Sequence, residues 1–307
     1  MNRMKSILVG VDFSSSSRTA LQQALRIAEW NRAQVRVVHI LDTMVMADVE
    51  FAMAAFHPNI HESMIADARE AWANFSADIP GAQAAAFEVL AAHPVAGLLD
   101  LVHEQKPDLL VLGLVGSGAG PGPGTVAAAA VRRARAKTLL VRESHSGPYK
   151  KIVVGVDFSE TSITALQSAV RVAEQDGAAL HVVHVFEAPW HRLHYKSPTP
   201  QASKDFQDQF TRALQQRLEN VGDSAGLERE LAYLKPVNRL IENSSHGKGL
   251  IEYARSVGSD LVVIGTRGRS NIRDMIMGST AERVVRDAPC SVLAVKPAGF
   301  DDAETRA

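Results

Sequence analysis

A glycine-rich stretch between residues 265 and 280 contains the groups in this chain that are best suited to binding an anion. The groups concerned are its three glycines, two of its arginines and two of its hydroxyl side chains. These are Gly265, Arg267, Gly268, Arg269, Gly278, Ser279 and Thr280. Glycines let backbone N–H groups approach an anion closely, and a helix N-terminus adds unpaired donors with a favourable dipole. Because the two arginines could clamp phosphate groups, the stretch favours polyphosphate as its ligand.

An ordinary turn between a strand and a helix would also use glycines, so Gly-x-x-Gly alone does not separate the two interpretations. The added arginines and hydroxyls favour binding. The stretch is not a P-loop, because the chain has no Gly-x-x-x-x-Gly-Lys-Ser/Thr. It is not the glycine motif of dinucleotide-binding folds either, since that motif lies in the first turn between a strand and a helix, whereas this stretch lies late in its half of the chain.

The chain is an internal duplication. Residues 5–29 and 150–174 align without gaps, with 17 of 25 positions identical, including Gly-Val-Asp-Phe-Ser in both copies. Residues 37–40 correspond to residues 182–185, and residues 107–113 correspond to residues 259–265. A repeat of this length is a whole domain. We therefore predict domains at residues 1–146 and 147–307, joined through a segment of linker composition.

Each copy alternates apolar runs with segments of helical spacing, which predicts α/β domains with doubly wound five-stranded parallel sheets. In the second copy we predict strands at residues 152–156, 180–186, 229–234, 261–265 and 291–296. Helices are predicted after a Ser159 cap and at residues 203–221, 249–257 and 279–286. The first copy follows the same plan. We adopt the strand order 3-2-1-4-5.

With that order, strands one and four are neighbours where the strand order reverses, and such crevices bind ligands. Asp157 ends strand one and the glycine stretch follows strand four, so both face one crevice. Asp157 could accept a hydrogen bond from an adenine amino group or a ribose hydroxyl, or act as a helix cap or turn former. Apolar surface for a base is offered by Val156, Val185 and Ile264, which are equally suited to a core.

The tandem α/β plan, the Gly-Val-Asp-Phe-Ser segments and Gly265-x2-Gly268-x9-Gly278-Ser279 resemble the universal stress protein family over essentially the whole chain. The resemblance implies that ATP or AMP is bound, with Asp157 and Val185 near the adenine. It implies Gly265 and Gly268 along the ribose and phosphates, and Gly278, Ser279 and Thr280 on the terminal phosphates. It also implies pairing of the domains through the fifth strands, residues 138–141 and 292–295, as an intramolecular pseudo-dimer.

The first copy departs from this pattern. Its counterpart positions, a possible degenerate second site, are Asp12, Ile40, Gly113, Gly116, Gly124 and Thr125. The loop before Gly124 is two residues shorter, lacks both arginines and contains two prolines, which have no N–H to donate. We therefore predict one competent nucleotide site, in the second domain.

The net charge, the apolar runs and the cysteine count of the chain limit the partners and the cellular compartment that we expect for it. The 307 residues carry a formal net charge of −1, which favours neither nucleic acid nor an anionic membrane surface. The apolar runs are too short to span a bilayer, and the N-terminus leaves no room for a signal peptide. Cys290 is the single cysteine, so no internal disulfide can form and we expect a cytoplasmic protein.

Three further segments are ambiguous. An apolar loop predicted at residues 44–56 could cover an interface or a hydrophobic ligand pocket. His57 and His61 are spaced like a metal pair on a helix but lack a third ligand, so no metal site is predicted. His191 and His194 fall in a loop that fits a surface lid better than a metal site.

Three functions compete. The favoured one is a stress-response or signalling module that binds an adenine nucleotide, without a catalytic set and with at most slow ATP hydrolysis. The second is an ATP-cleaving enzyme of a related nucleotide fold, although the sequence lacks the motifs of those groups. The third is a protein-interaction scaffold without nucleotide. The sequence leaves open whether Mg²⁺ accompanies the ligand, whether a homodimer forms and which protein is the partner.

Overall fold

The computed structural model describes residues 4–53, 59–116, 123–192, 204–268 and 277–300. The chain divides into two compact units with the boundary between Gly147 and Pro148. The sequence-predicted boundary lies one residue earlier. Below, the first unit ends at Gly147 and the second unit is Pro148–Gly299.

Five parallel strands form the sheet of the first unit. They are β1 (Ser6–Gly10), β2 (Gln34–Asp42), β3 (Ala86–Ala92), β4 (Leu109–Gly113) and β5 (Lys137–Val141). Their spatial order is β3-β2-β1-β4-β5. The pairing of β1 with β2 on one side and β4 on the other places the reversal of strand order at β1 and β4, as predicted.

The second unit repeats this arrangement. Its strands are β6 (Lys151–Gly155), β7 (Ala179–Phe186), β8 (Val237–Glu242), β9 (Leu261–Gly265) and β10 (Ser291–Val295). They lie in the order β8-β7-β6-β9-β10, and every pairing among them is parallel. The strand order 3-2-1-4-5 therefore holds in both units. The pairing predicted between the two fifth strands stays a prediction.

Helices cover the sheets. Those of the first unit are α1 (Ser15–Asn31), α2 (Thr43–Met53), α3 (Ile60–Ser76), α4 (Pro94–Gln105) and α5 (Thr125–Arg133). Those of the second unit are α6 (Glu160–Asp176), α7 (Pro189–Arg192), α8 (Lys204–Glu219), α9 (Val221–Ala225), α10 (Glu228–Leu234), α11 (His246–Ser256) and α12 (Ser279–Asp287).

The central strands are buried because helices pack on them from outside. Ile7, Leu8 and Val9 of β1 are at most 1% exposed, as short apolar strands of a parallel sheet should be. Helix α1 packs on β1, β4 and β5, and α6 packs on β6, β9 and β10. These two helices directly follow the first strand of each unit, so they fix the position of each strand's carboxyl end.

The prediction of a third strand at residues 229–234 is wrong, because these residues belong to α10. Leu227 is buried, Leu231 and Leu234 are half-buried, and the three have the i, i+4, i+7 spacing of a helix face. The helix ends with Lys235 at φ 48°, because the residue before Pro236 disfavours right-handed helical backbone. The third strand, β8, follows and lies at the edge of the sheet.

The prediction of an apolar loop at residues 44–56 is also wrong where the structure describes it. Residues up to Met53 form α2, with Met46 buried and Phe51 91% exposed. Residues 54–58 lie outside the described residues. The apolar content misled the prediction because α2 has no clean polar face to mark helical periodicity.

Candidate functional site

A cleft of about 460 Å³, here the second cleft, opens at the carboxyl ends of β6, β7 and β9. It lies where the strand order of the second unit reverses, which is the usual ligand position in open α/β sheets. It is lined by Gly155, Val156, Asp157, Ser162, Val183, His184, Val185, His246, Leu250, Ile264, Gly265, Thr266, Arg267, Gly268, Gly278, Ser279, Thr280 and Ala281.

Asp157 connects the end of β6 to the start of α6. Its Oδ1 accepts hydrogen bonds from the backbone N–H of Ser159 at 3.0 Å and from the Ser159 hydroxyl at 2.5 Å. The Ser159 Oγ in turn accepts from the N–H of Ser162 at 3.2 Å and caps the helix, as predicted. The turn-forming role considered for Asp157 is therefore present, and it occupies one oxygen of the carboxylate.

The second carboxylate oxygen of Asp157 lies against the glycine stretch. A Cβ placed on Gly268 would be 2.6 Å from Oδ2, closer than real Cβ atoms approach. Glycine at this position therefore permits the close approach of the loop to the carboxylate. The same side chain consequently orders a helix start and forms one wall of the second cleft.

Phe158 packs against His184, which lines the second cleft. Phe158 has φ 63°, a left-handed conformation that is uncommon outside glycine, and its ring lies 4.7 Å from that of His184. His184 Nδ1 is 2.7 Å from the carbonyl oxygen of Val156. Because a carbonyl can only accept, Nδ1 carries the proton and donates it. The matched His39 bonds Val11 in the same way at 2.8 Å, consistent with the structural role inferred for both histidines.

The start of α12 forms another wall of the second cleft. Gly278, the N-cap residue, provides no side-chain cap, and its N–H donates to the carbonyl of Thr266 at 2.8 Å. The hydroxyls of Ser279 and Thr280 follow in the first turn. Uncapped N–H groups with two hydroxyls beside them can bind an anion. Arg267 lies on the same rim and adds a fixed positive charge.

The structure brings together nearly all the residues predicted for this site. Val156, Asp157, Val185, Ile264, Gly265, Arg267, Gly268, Gly278, Ser279 and Thr280 all line the second cleft. Arg269 lies outside the described residues. The grouping is a geometric finding, and the nucleotide role of each residue stays a prediction.

Sequence reasoning missed several residues of the second cleft. His246 begins α11 and was overlooked because that helix was predicted to start three residues later, at Gly249. Thr266 was read as a spacer between Gly265 and Arg267. Its Oγ1 is buried and has no hydrogen-bond partner among the described residues. Comparison of the two copies, in which Thr266 aligns with Leu114, would have marked it.

A matching cleft of about 380 Å³, here the first cleft, opens at the equivalent position of the first unit. All six residues predicted for the degenerate site line it, namely Asp12, Ile40, Gly113, Gly116, Gly124 and Thr125. Asp12 Oδ1 accepts from the N–H and hydroxyl of Ser14 at 3.1 and 2.5 Å. Phe13 has φ 60°. The carboxylate end of the second cleft is thus reproduced.

The glycine loops close in the same way although their lengths differ. The N–H of Gly124 donates to the carbonyl of Leu114 at 3.1 Å, as Gly278 does to Thr266. The loop before Gly124 is two residues shorter than its counterpart. The shortening therefore leaves the start of α5 in the position that α12 occupies in the second unit.

The histidines singled out in the sequence do not gather with other ligands in the described residues. His61 Nε2 lies 3.1 Å from Glu50 of α2. His57 and His194 lie outside the described residues, and the side chain of His191 is likewise not described. Across the described part of the chain, no group of three or more His, Cys, Asp or Glu side chains is placed to hold a metal ion.

None of the helices in the described ranges combines the length and the apolar character needed to cross a bilayer.

Comparison with known proteins gives a consistent result for both units. The model of the universal stress protein family matches residues 4–142 and again residues 148–296. A protein of Staphylococcus epidermidis named for this family is 32% identical over 152 residues, which cover 48% of this chain and 84% of the relative. A Methanocaldococcus jannaschii universal stress protein is 28% identical over 151 residues, covering 48% and 82%.

Among solved structures, a universal stress protein from Archaeoglobus fulgidus superposes with a TM-score of 0.64 at 18% identity. The superposition covers 95% of this chain and 98% of that one. At this identity the similarity establishes the fold alone. It extends over a whole chain of comparable length, in agreement with the tandem organisation.

Proposed function

Because the chain belongs to the universal stress protein family, we propose that its second unit binds an adenine nucleotide, ATP or AMP, and that the protein is a stress-response or signalling module. The observation that carries this proposal is the second cleft. There a carboxylate, apolar walls and an uncapped helix N-terminus surround one space of about 460 Å³. Clefts of roughly 300–1,000 Å³ are typical of sites for small organic ligands.

One end of the second cleft suits a base and its sugar. Val156, Val185 and Ile264 provide apolar surface against which a planar ring can lie. Asp157 supplies an acceptor at the edge of this surface, suited to an amino group or a ribose hydroxyl. The carboxylate is held in place through its bonds to Ser159, so little ordering of this side chain is needed on binding.

The other end suits phosphate groups. Arg267, the hydroxyls of Ser279 and Thr280, and the first N–H groups of α12 are all donors. His246 at the start of α11 lines the same space. The two ends are therefore complementary in charge and polarity to a molecule that is apolar and aromatic at one end and anionic at the other.

We propose that the nucleotide acts as a conformational ligand and not as a rapidly consumed substrate. Asp157 is the one carboxylate among the described residues lining the second cleft, and its Oδ1 is engaged with Ser159. Two-metal chemistry needs a second carboxylate, and nucleophilic catalysis needs an adjacent base. A turnover assay addresses this directly, because rapid release of AMP or pyrophosphate would establish an enzyme instead. With Cys290 as the single cysteine, we also propose a cytoplasmic location.

The experiment is to denature purified protein, identify released nucleotide by chromatography, and titrate nucleotide-free protein with ATP and AMP, with and without Mg²⁺. Gly278→Val should abolish ATP binding, and Gly124→Val should leave it unchanged. Both variants should fold, because the nearest atom of the described residues to an added Cβ is 3.6 Å away at Gly278 and 3.5 Å away at Gly124. If ATP binding is absent, or depends on Gly124 instead of Gly278, the proposal fails.

A further inference from the structure

The first cleft keeps the carboxylate end of the second cleft but not its anion-binding end. At the carboxylate end, Asp12, Val11, Ile40 and His39 stand where Asp157, Val156, Val185 and His184 stand in the second unit. The bonds from Ser14 to Asp12 agree within 0.1 Å with those from Ser159 to Asp157. The carboxylate acceptor and the apolar surface that a ligand would contact at this end of the second cleft are therefore also present in the first cleft.

At the other end, polar side chains of the second cleft are replaced by apolar ones. The replacements, in the order first unit for second unit, are Val115 for Arg267, Pro94 for His246 and Val126 for Thr280. Apart from His39, whose Nδ1 is bonded to Val11, Asp12 is the one ionisable side chain among the described residues that line the first cleft. The described lining therefore carries negative charge without a compensating arginine.

A phosphate group would be poorly accommodated there. The N-terminus of α5 offers backbone donors, but a helix dipole stabilises an anion only weakly. Removing an ionised group from water without a charged partner costs more than this dipole returns. Asp12 adds repulsion. The balance favours a ligand without charge, while the apolar surface around it favours a neutral ring.

We propose that the first cleft binds an uncharged ligand of the nucleoside class, with adenosine as the probe, and rejects its phosphate esters. The base and sugar would lie against Val11 and Ile40 with a donor group on Asp12, and the apolar replacements would close the end where phosphates would sit. This inference rests on the proposed function, because the ligand class is read from the matching end of the second cleft. The protein would then hold a nucleotide and a nucleoside in separate units.

The test is calorimetric titration of the full chain with adenosine while ATP in excess occupies the second cleft. Adenosine should bind saturably under these conditions, and Gly124→Val should remove this binding. In the Gly278→Val variant, which lacks the ATP site, adenosine should bind the first cleft at least about tenfold more tightly than AMP. Val115→Arg should raise the affinity of this cleft for AMP about tenfold and leave its affinity for adenosine unchanged.

Each outcome decides the inference. AMP binding that equals or exceeds adenosine binding in Gly278→Val would overturn it, as would adenosine binding that survives Gly124→Val or is absent altogether. The proposed function fails separately, when the unmodified chain binds no ATP. In that event the adenosine titration of Gly278→Val still measures the first cleft on its own.

Discussion

Asp157 uses its two carboxylate oxygens for different purposes. Oδ1 accepts the two bonds from Ser159 that start α6, while Oδ2 lies against Gly268 at the wall of the second cleft. The sequence left two interpretations of Asp157 undecided, a turn former and a ligand acceptor. One side chain can therefore have both roles. An amide substitution separates them, because it keeps one carbonyl oxygen and replaces the other oxygen by a donor.

We expect Asp157→Asn to weaken ATP binding about ten- to a hundredfold, the loss of a hydrogen bond to a charged group. The free energy of unfolding should change by less than about 1 kcal/mol, because the asparagine oxygen can still accept from Ser159. Calorimetry and urea denaturation measure the two effects. Asp12→Asn is the matched control and should leave ATP affinity unchanged; an equal loss in both variants would contradict the assignment of the ATP site to the second unit.

Arg267 is the residue whose loss should most clearly separate phosphate from nucleoside recognition. Arg267→Val installs the residue found at the matching position 115. We expect ATP affinity to fall about tenfold or more, because a charge-assisted contact is lost, and adenosine affinity in the second cleft to remain. Arg267→Lys should be intermediate, since lysine keeps the charge without the planar fork. Titrations at two salt concentrations should show a weaker salt dependence in Arg267→Val than in the unmodified chain.

At the scale of the element, each unit starts its first helix with the same serine cap. Ser159 Oγ accepts from the N–H of Ser162, and Ser14 Oγ accepts from that of Ser17, both at 3.2 Å. We expect Ser159→Ala and Ser14→Ala each to lower the free energy of unfolding by about 1 kcal/mol. Urea denaturation provides the measurement. Ser159→Thr retains the hydroxyl and should recover most of the loss; an alanine variant as stable as the original would show that the cap is energetically silent.

His181 of β7 couples a strand–helix contact to pH. Its Nδ1 lies 2.8 Å from the hydroxyl of Tyr253 on α11, and burial, with a smaller contribution from Lys151, lowers its pKa. The unfolded chain therefore takes up this proton at higher pH than the folded chain. The contribution to stability is complete above about pH 6.5 and is lost as the pH falls toward the folded pKa. His181→Gln should flatten the fall in unfolding free energy as the pH drops below about 6.5; an unchanged slope would contradict this.

The predictable part of the fold is the part fixed by local patterns. The buried runs that became β6 and β9, and the Ser159 cap, are visible in the sequence because burial on both faces and capping impose strong local signals. The edge strand β8 was missed because its alternation is weak, while the leucines of α10 offered a stronger apolar segment nearby. In the second cleft, His246 went unnoticed because the helix that it begins was predicted to start at Gly249. Thr266 went unnoticed because its significance comes from burial, which only the folded chain reveals.

On the scale of the whole molecule, two copies of one scaffold have kept the same carboxylate turn and diverged at the opposite end of the cleft. Asp12 and Asp157 are held alike, whereas Val115 and Arg267 differ in charge. A ligand bound by one unit stabilises the unit that binds it by RT ln(1 + [L]/Kd), about 2.7 kcal/mol at a concentration of 100 Kd. The unit that binds a given ligand can therefore be identified as the one whose free energy of unfolding rises when the ligand is added.

We expect saturating ATP to slow amide hydrogen exchange in β6, β9 and α12, and to leave β1, β4 and α5 unchanged. Hydrogen-exchange mass spectrometry resolves these segments in the intact chain. Gly278→Val should abolish the protection and so serves as the control. Equal protection of both sets of segments would indicate two ATP sites per chain and would contradict the predicted asymmetry.

The bond from Gly124 to Leu114 has an implication for how such proteins diversify. Since the same closure forms over loops that differ by two residues, the recognition segment can be lengthened, shortened or rewritten while the strand and helix it joins stay in register. The strand and the helix, which maintain the fold, are therefore separate from the loop, whose sequence can change. After a gene duplication on this plan, the ligand selectivity of one unit can change while that unit keeps its fold.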